Sequence, residues 1–196
     1  MDAPGEDRSP ALALANSWRT TPRETIDELT TIANLHSWLE RHEIVALPGA
    51  IGREQLDQLR ELRDSIRELL AACVAERAPQ QTAISIVNTA ARAEPTSSQL
   101  KWDDSTAPEA ERTGDSPGSF ASVLSTIASD AIDLVTGPHH TQIRACQAPG
   151  CTRYLLVDHP RRRWCSTRCS DRVRAANYYQ RTRTASATPA TDKQPV

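Results

Sequence analysis

The sequence predicts a mainly α protein, a helical N-terminal domain followed by a small treble-clef-like module of knuckle, β-hairpin and helix. Three observations carry this prediction. Two long stretches, 53–77 and 119–136, set apolar residues at helical spacing. Thirteen prolines against seven glycines suit several loops between helices. Four cysteines near the C-terminal end fall into two close pairs within CQAPGCTRYLLVDHPRRRWCSTRC.

Length and composition bound the rest. A chain of 196 residues holds one or two domains, and 38% hydrophobic content with eight aromatic residues supports a modest core. No apolar run approaches the ~18 residues that would span a bilayer. The N-terminal stretch MDAPGEDRSPALALANSW lacks a basic start followed by an apolar core, so it predicts no export and a cytoplasmic location.

Taken in order, residues 1–10 read as a disordered leader. Leu12-Ala13-Leu14-Ala15-Asn16-Ser17-Trp18 follows as a first strand or helix in the core, with Asn16 capping a turn. Its alternative is a functional one, Asn16 and Ser17 as a polar pair lining a small-ligand pocket. Ile26, Leu29, Ile32, Leu35, Trp38 and Leu39 recur near helical spacing and predict a helix, with Asp27, Glu28, His36 and Glu40 on its solvent face. From 53 to 77, Leu56, Leu59, Leu62, Ile66, Leu69, Leu70 and Cys73 form an apolar stripe opposite many charges. Cys73 lies on that stripe and reads as a small buried hydrophobe.

A third helix is predicted over 82–92, a short strand over 99–102, and a polar loop over 103–119, where two prolines and two glycines interrupt any apolar period. Ser119 caps the last helix of the domain, whose inner face carries Phe120, Val123, Leu124, Ile127, Ala131 and Leu134, and Gly137-Pro138 stops it. That stop sets the predicted boundary between a helical domain at 11–137 and the module at 138–183. Residues 184–196 form a polar tail, read as disordered.

The cysteines carry the chemistry. Cys146 and Cys151 are a C-x4-C pair, Cys165 and Cys169 a C-x3-C pair, with thirteen residues between them. Each pair supplies two thiolates from one tight turn, and the connecting loop folds the pairs together into a tetrahedral zinc site. Two disulfides would require an oxidising compartment, and neither pair is the C-x-x-C of a thiol oxidoreductase. Four thiolates close the coordination sphere of one structural ion and leave no position for an activated water. His139, His140 and His159 then read as surface residues. Pro149-Gly150 makes the first pair a turn, and Tyr154-Leu155-Leu156-Val157 a strand. Asp158-His159-Pro160 turns the chain, and Arg161-Arg162-Arg163-Trp164 returns as the second strand of the hairpin. Ser166 caps a helix whose first turn is bracketed by Cys165 and Cys169.

These residues resemble a known family. The C-x4-C pair, the strand ending in Asp158, Arg163-Trp164-Cys165-Ser166 and the basic helix after Cys169 are similar to the CGNR zinc finger of bacterial proteins with an ABATE domain. The name-giving tetrapeptide here is Cys169-Ser170-Asp171-Arg172, with Ser and Asp in place of Gly and Asn. The run ending in Asn16-Ser17 resembles the opening motif of the ABATE domain. The resemblance implies an N-terminal domain of unknown ligand and a C-terminal zinc finger in a stress-responsive transcriptional regulator.

Charge divides the chain as the motifs do. Residues 144–183 hold ten arginines against Asp158 and Asp171, a balance of +8, so with −2 overall the remainder carries −10. A basic zinc module can hold a nucleic-acid backbone through Arg161, Arg162 and Arg163 at the hairpin tip and Arg168, Arg172 and Arg174 along the helix. Tyr178 and Tyr179 are placed to stack on bases or to pack on a neighbouring domain. DNA is therefore the expected partner, with the helical domain sensing a signal or mediating assembly. The alternatives are arginines paired with acidic groups of the same chain, or a zinc-stabilised adaptor that binds protein and no DNA. No spaced Ser/His/Asp set, Gly-rich phosphate loop or paired carboxylates around a histidine points to an enzyme.

Overall fold

The computed structural model describes residues 2–44, 51–103, 107–114, 118–159 and 161–186. Helix α1 (Pro10–Asn16) opens the bundle, with Pro10 in its first turn and the Ser9 hydroxyl accepting from Leu12 N–H at 3.2 Å. Asp130 completes the cap from a distant helix, its Oδ2 accepting from Ser9 Oγ at 2.6 Å and Ala11 N–H at 2.9 Å. The apolar run is thus a helix, with Leu12 and Leu14 wholly buried.

A hairpin of β1 (Trp18–Thr20) and β2 (Thr25–Asp27) follows, pairing Trp18 with Asp27 and Thr20 with Thr25. The helix predicted through Ile26 and Leu29 is corrected here. Those two residues share the later helix's spacing, yet the helix begins only at α2 (Ile32–Arg41), where Thr31 accepts from Asn34 N–H at 3.1 Å. Leu29, fully buried, reaches the core from a turn, held by its N–H donating to Asp27 Oδ1.

Helix α3 (Arg53–Val74) buries the predicted stripe, with Leu59 and Leu70 at 0% exposure. Gly52 N–H donates to the Gln55 side chain at 2.9 Å and closes its first turn. Cys73 is half-buried against the same core. Helices α4 (Gln81–Ala91) and α5 (Phe120–Thr136) pack on α3 and on each other. Ser119 caps α5 as predicted, accepting from Ser122 N–H at 3.0 Å. Gly137 ends it, and a Cβ there would lie 2.5 Å from the Asp133 carbonyl oxygen.

Between α4 and α5, β3 (Thr96–Lys101) pairs antiparallel with β4 (Glu109–Gly114). The predicted loop over 103–119 therefore contains a strand. The described side chains of this ribbon, at 97–101 and 109–111, are all exposed, so no apolar alternation marks the strand. The remainder of the chain folds onto the bundle. A 3-10 turn (His140–Gln142) leads into β5 (Ile143–Ala145), which pairs with β6 (Tyr154–Leu156), and α6 (Thr167–Ser186) closes the described chain. Of the predicted disordered tail at 184–196, the first three residues continue α6, and the rest lies outside the described residues.

The strand that pairs with Tyr154–Leu156 thus precedes the first cysteine pair; Arg161, Arg162 and Arg163 occupy the loop between β6 and α6 instead of a second strand or a hairpin tip. The knuckle forms the hairpin's own connection. Side-chain alternation along β6 sends Leu155 into a small core with Cys146, Cys165 and Cys169, and Leu156 into the helical core beside Ile143.

The predicted leader also differs. Ala3, Glu6 and Ser9 are buried at 3%, 5% and 4% exposure, and Leu156 N–H donates to Pro4 O at 2.8 Å. Composition hides this because most of its partners lie far along the chain, Asp130 for Ser9, Arg153 for Glu6 and Leu156 for Pro4.

Candidate metal centre

Four elements converge on one point. Cys146 follows β5, Cys151 closes the knuckle turn with its N–H donating to Ala148 O at 3.0 Å, Cys165 ends the basic loop, and Cys169 sits in the first turn of α6. Ser166 caps that turn, its hydroxyl accepting from Cys169 N–H at 3.3 Å and its carbonyl from Ser170 N–H at 3.1 Å. The knuckle needs glycine at Gly150, where φ is +72° and a Cβ would meet Pro22 Cγ at 3.2 Å.

The ligand atoms of the four cysteines all lie within 4.8 Å of one another. Cys165 Sγ is 3.7 Å from both Cys151 Sγ and Cys169 Sγ. Zinc–sulfur bonds of about 2.3 Å at tetrahedral angles set an edge of about 3.8 Å, so this spacing fits one zinc ion. Cys146, Cys165 and Cys169 are buried and Cys151 half-buried, leaving a closed site.

Hydrogen bonds from Cys151 and Cys165 hold the Cys146 thiol down to about 2, while the bond to Cys146 pushes Cys151 up to about 11. Bonds to Cys146 and Cys151, with burial, push Cys165 upward as well. One thiolate is stabilised at the expense of its neighbours, and a divalent cation relieves that competition by replacing their protons with positive charge. Around the sulfurs, Cys165 N–H donates to Cys146 Sγ at 3.4 Å and Arg172 Nη2 to Cys169 Sγ at 3.7 Å. Such donors orient thiolates and spread their charge.

The six arginines of the predicted nucleic-acid set separate into two groups. Arg161, Arg162, Arg163 and Arg168 are exposed, and among the described residues their side chains make no ion pair or hydrogen bond. Arg172 turns inward, its Nη2 donating to Pro149 O at 3.1 Å and bracing the knuckle against α6. Arg174 donates to Ser170 Oγ at 2.7 Å and pairs with Asp171 at 3.8 Å. His139, His140 and His159 are exposed and outside the cysteine cluster.

Asn16 has a role that the residues around it in sequence do not reveal. Its Oδ1 accepts from Tyr154 N–H at 2.8 Å and its Nδ2 donates to Tyr154 O at 2.8 Å, so one side chain pairs with β6 as a neighbouring strand would. Nδ2 also donates to Glu6 Oε1 at 2.6 Å, and Glu6 pairs with Arg153 at 3.7 Å. Burial raises the Glu6 carboxyl above its ordinary range against the opposing pull of Arg153 and Asn16. Arg67 of α3 joins the same boundary. It donates to Ala15 O at 2.7 Å, Trp18 O at 2.9 Å and Thr152 O at 3.3 Å, with its guanidinium 4.8 Å from the Trp18 ring centre. The Asn-Ser pair of the sequence was the available signal for this boundary. It pointed to a turn cap or a ligand pocket, whereas Asn16 recognises backbone 138 residues away.

A helical bundle joined to a closed four-cysteine module defines a protein in which the metal serves structure. Among the described residues no helix is long and apolar enough to cross a membrane. The family model for ABATE, described as "putative stress-induced transcription regulator", matches residues 8–138, and that for the CGNR zinc finger matches residues 142–182. The chain belongs to the ABATE family and carries a CGNR zinc finger at its C-terminal end. These are regulator and zinc-finger families, not enzyme families. A search of curated proteins finds no match.

Proposed function

We propose that this protein is a zinc-dependent DNA-binding regulator of transcription, in which the helical domain senses a signal or mediates assembly and the zinc module meets the duplex. The observation that carries this reading is the state of α6. From Arg174 to Thr182 every residue is exposed, Tyr178 and Tyr179 at 62% and 67%, so this half of the helix buries no apolar face against its own chain. An unpacked helix bearing arginines and two tyrosines, beside a loop with three uncommitted arginines, suits a polyanion with stacking surfaces.

Within this reading Arg161, Arg162, Arg163 and Arg168 make the phosphate contacts, Arg174 contributes from a helix face shared with Asp171, and Arg172 acts by holding the knuckle. Zinc, bound by Cys146, Cys151, Cys165 and Cys169, supplies the fold of the module and no chemistry on the nucleic acid.

Binding of zinc-loaded protein to duplex DNA across a salt series tests the proposal. Changing Arg161, Arg162 and Arg163 together to Ala removes up to three phosphate contacts, each worth a slope of about 0.9 in log affinity against log salt, so the slope falls by about 2.7. An unchanged slope refutes the assignment of these arginines. Absence of duplex binding at low salt by a protein with one zinc per chain refutes DNA binding and favours the adaptor reading.

A further inference from the structure

The segment before α1 lies outside both matched ranges, except for its last two residues, yet it is built into the metal module. Ala3 is buried in the same small core as Cys146, Cys165 and Cys169. Pro4 O accepts from Leu156 N–H, extending the β5–β6 hairpin by one backbone hydrogen bond. Gly5 has φ +93°, and a Cβ there would lie 2.8 Å from Leu156 Cβ, so only glycine lets the segment lie this close to β6. Glu6 is then held under Arg153 and Asn16, and Arg8 reaches Asp158 at 3.0 Å.

We infer that residues 3–8 are a strap that completes the zinc finger, and that the strap and Asn16 are positioning residues for the metal. Cys146 stands immediately beyond β5 and its N–H donates to Arg153 O at 2.8 Å, so whatever fixes β6 fixes the first ligand pair. Asn16 and the strap grip the same edge of β6, the one facing away from β5, Asn16 at Tyr154 and Pro4 at Leu156, and Glu6 joins the two grips through Asn16 Nδ2. The linkage is reciprocal: a strap that strengthens zinc binding is itself held more tightly when zinc is bound. Metal loss removes the core into which Ala3 packs, frees the strap, and loosens the partners of Glu6 before α1 and of Asn16 at its C-terminal end. Metal occupancy is thereby transmitted to the helical domain.

The test uses the full chain loaded with zinc and a competing chromophoric chelator. Variants lacking residues 2–8, or carrying Gly5→Ala or Asn16→Ala, are compared with Val87→Ala, a core change on α4 away from the module. Weakened orientation of metal ligands by outer groups lowers affinity about 10–100-fold, and this loss is expected for the first three variants. Val87→Ala is expected to lower the melting temperature and leave zinc affinity unchanged, which separates positioning from general destabilisation. Hydrogen exchange supplies the reciprocal reading: removing zinc is expected to speed exchange at Leu12 and Ala13 N–H in wild type. If the truncated chain fails to fold, the two point variants carry the comparison. Zinc affinities within twofold of wild type in folded Gly5→Ala and Asn16→Ala proteins overturn the inference, as does unchanged α1 exchange on metal removal.

Discussion

Replacing Arg67 by Met keeps the length and apolar stem of the side chain and removes the guanidinium, leaving the Ala15, Trp18 and Thr152 carbonyls without their shared donor. Hydrogen bonds from a charged donor are worth about 1.5–3 kcal/mol each, and the longest here, 3.3 Å to Thr152 O, lies at the weak end. The contact with the Trp18 ring adds about 0.5–1 kcal/mol. Against these stands the desolvation of the guanidinium, which burial registers by lowering the Arg67 pKa from its ordinary value. Because the three bonds share one group they do not add, and a net loss of about 3 kcal/mol is expected. For a domain of this size that corresponds to a fall of roughly 6–12 °C in melting temperature. Thermal unfolding of the zinc-loaded protein followed by circular dichroism measures it. Arg67→Lys should fall between the two, since an ammonium keeps the charge but cannot serve three carbonyls as the guanidinium fork does. A melting temperature for Arg67→Met within 2 °C of wild type would refute the claim that this side chain ties α1, β1 and the knuckle together.

Cys165→Ala removes a buried ligand and is expected to abolish stoichiometric zinc binding and unfold the module, whereas Cys73→Ala should retain one zinc per chain by metal analysis. Leu59→Ala, at the fully buried centre of α3, should cost about 2–5 kcal/mol in urea unfolding. Glu28 gives a pH signature. Burial pushes its pKa up, but hydrogen bonds and charge from Arg19 and Arg41 outweigh that and leave it below the ordinary 4.5. Its folded pKa is depressed, so its stabilising contribution is present above the unfolded value and is lost as pH falls through the folded one. The stability gap between wild type and Glu28→Gln should therefore hold at neutral pH and close below about pH 4.5, as read from urea midpoints at each pH.

Much of this architecture is legible where a residue's partner is near in sequence or where periodicity reports burial. The stripe from Leu56 to Leu70 and the Ser119 cap follow local rules, and the two cysteine pairs announce their metal by spacing. Short strands obey a different logic. Thr25–Asp27 and Glu109–Gly114 are strands because of what lies across from them, and three to six residues carry too little alternation to say so. The same holds for Tyr154–Leu156, whose predicted partner is Arg161–Trp164 downstream and whose partner in the fold is Ile143–Ala145 upstream. The polar clasp of Glu6, Asn16 and Arg153 was illegible for a further reason. A buried polar side chain is recognised by the backbone group it satisfies, and here that group belongs to another part of the chain.

The bond between Leu156 and Pro4 joins residues 152 positions apart, and it bears on synthesis as well as on stability. A ribosome adding about 5–20 residues per second needs roughly 8–30 seconds to pass from one to the other. Throughout that interval the strap has been made and the strand it must meet has not. The α1 helix, which Asp130 caps and β6 covers, waits for the same late arrivals. The strap and α1 therefore cannot reach their final contacts until β6 has been made, whereas α3, α4 and α5 can pack on one another before it. The strap is thus made early and placed late, and zinc uptake, which needs Cys165 and Cys169, comes later still than the emergence of β6.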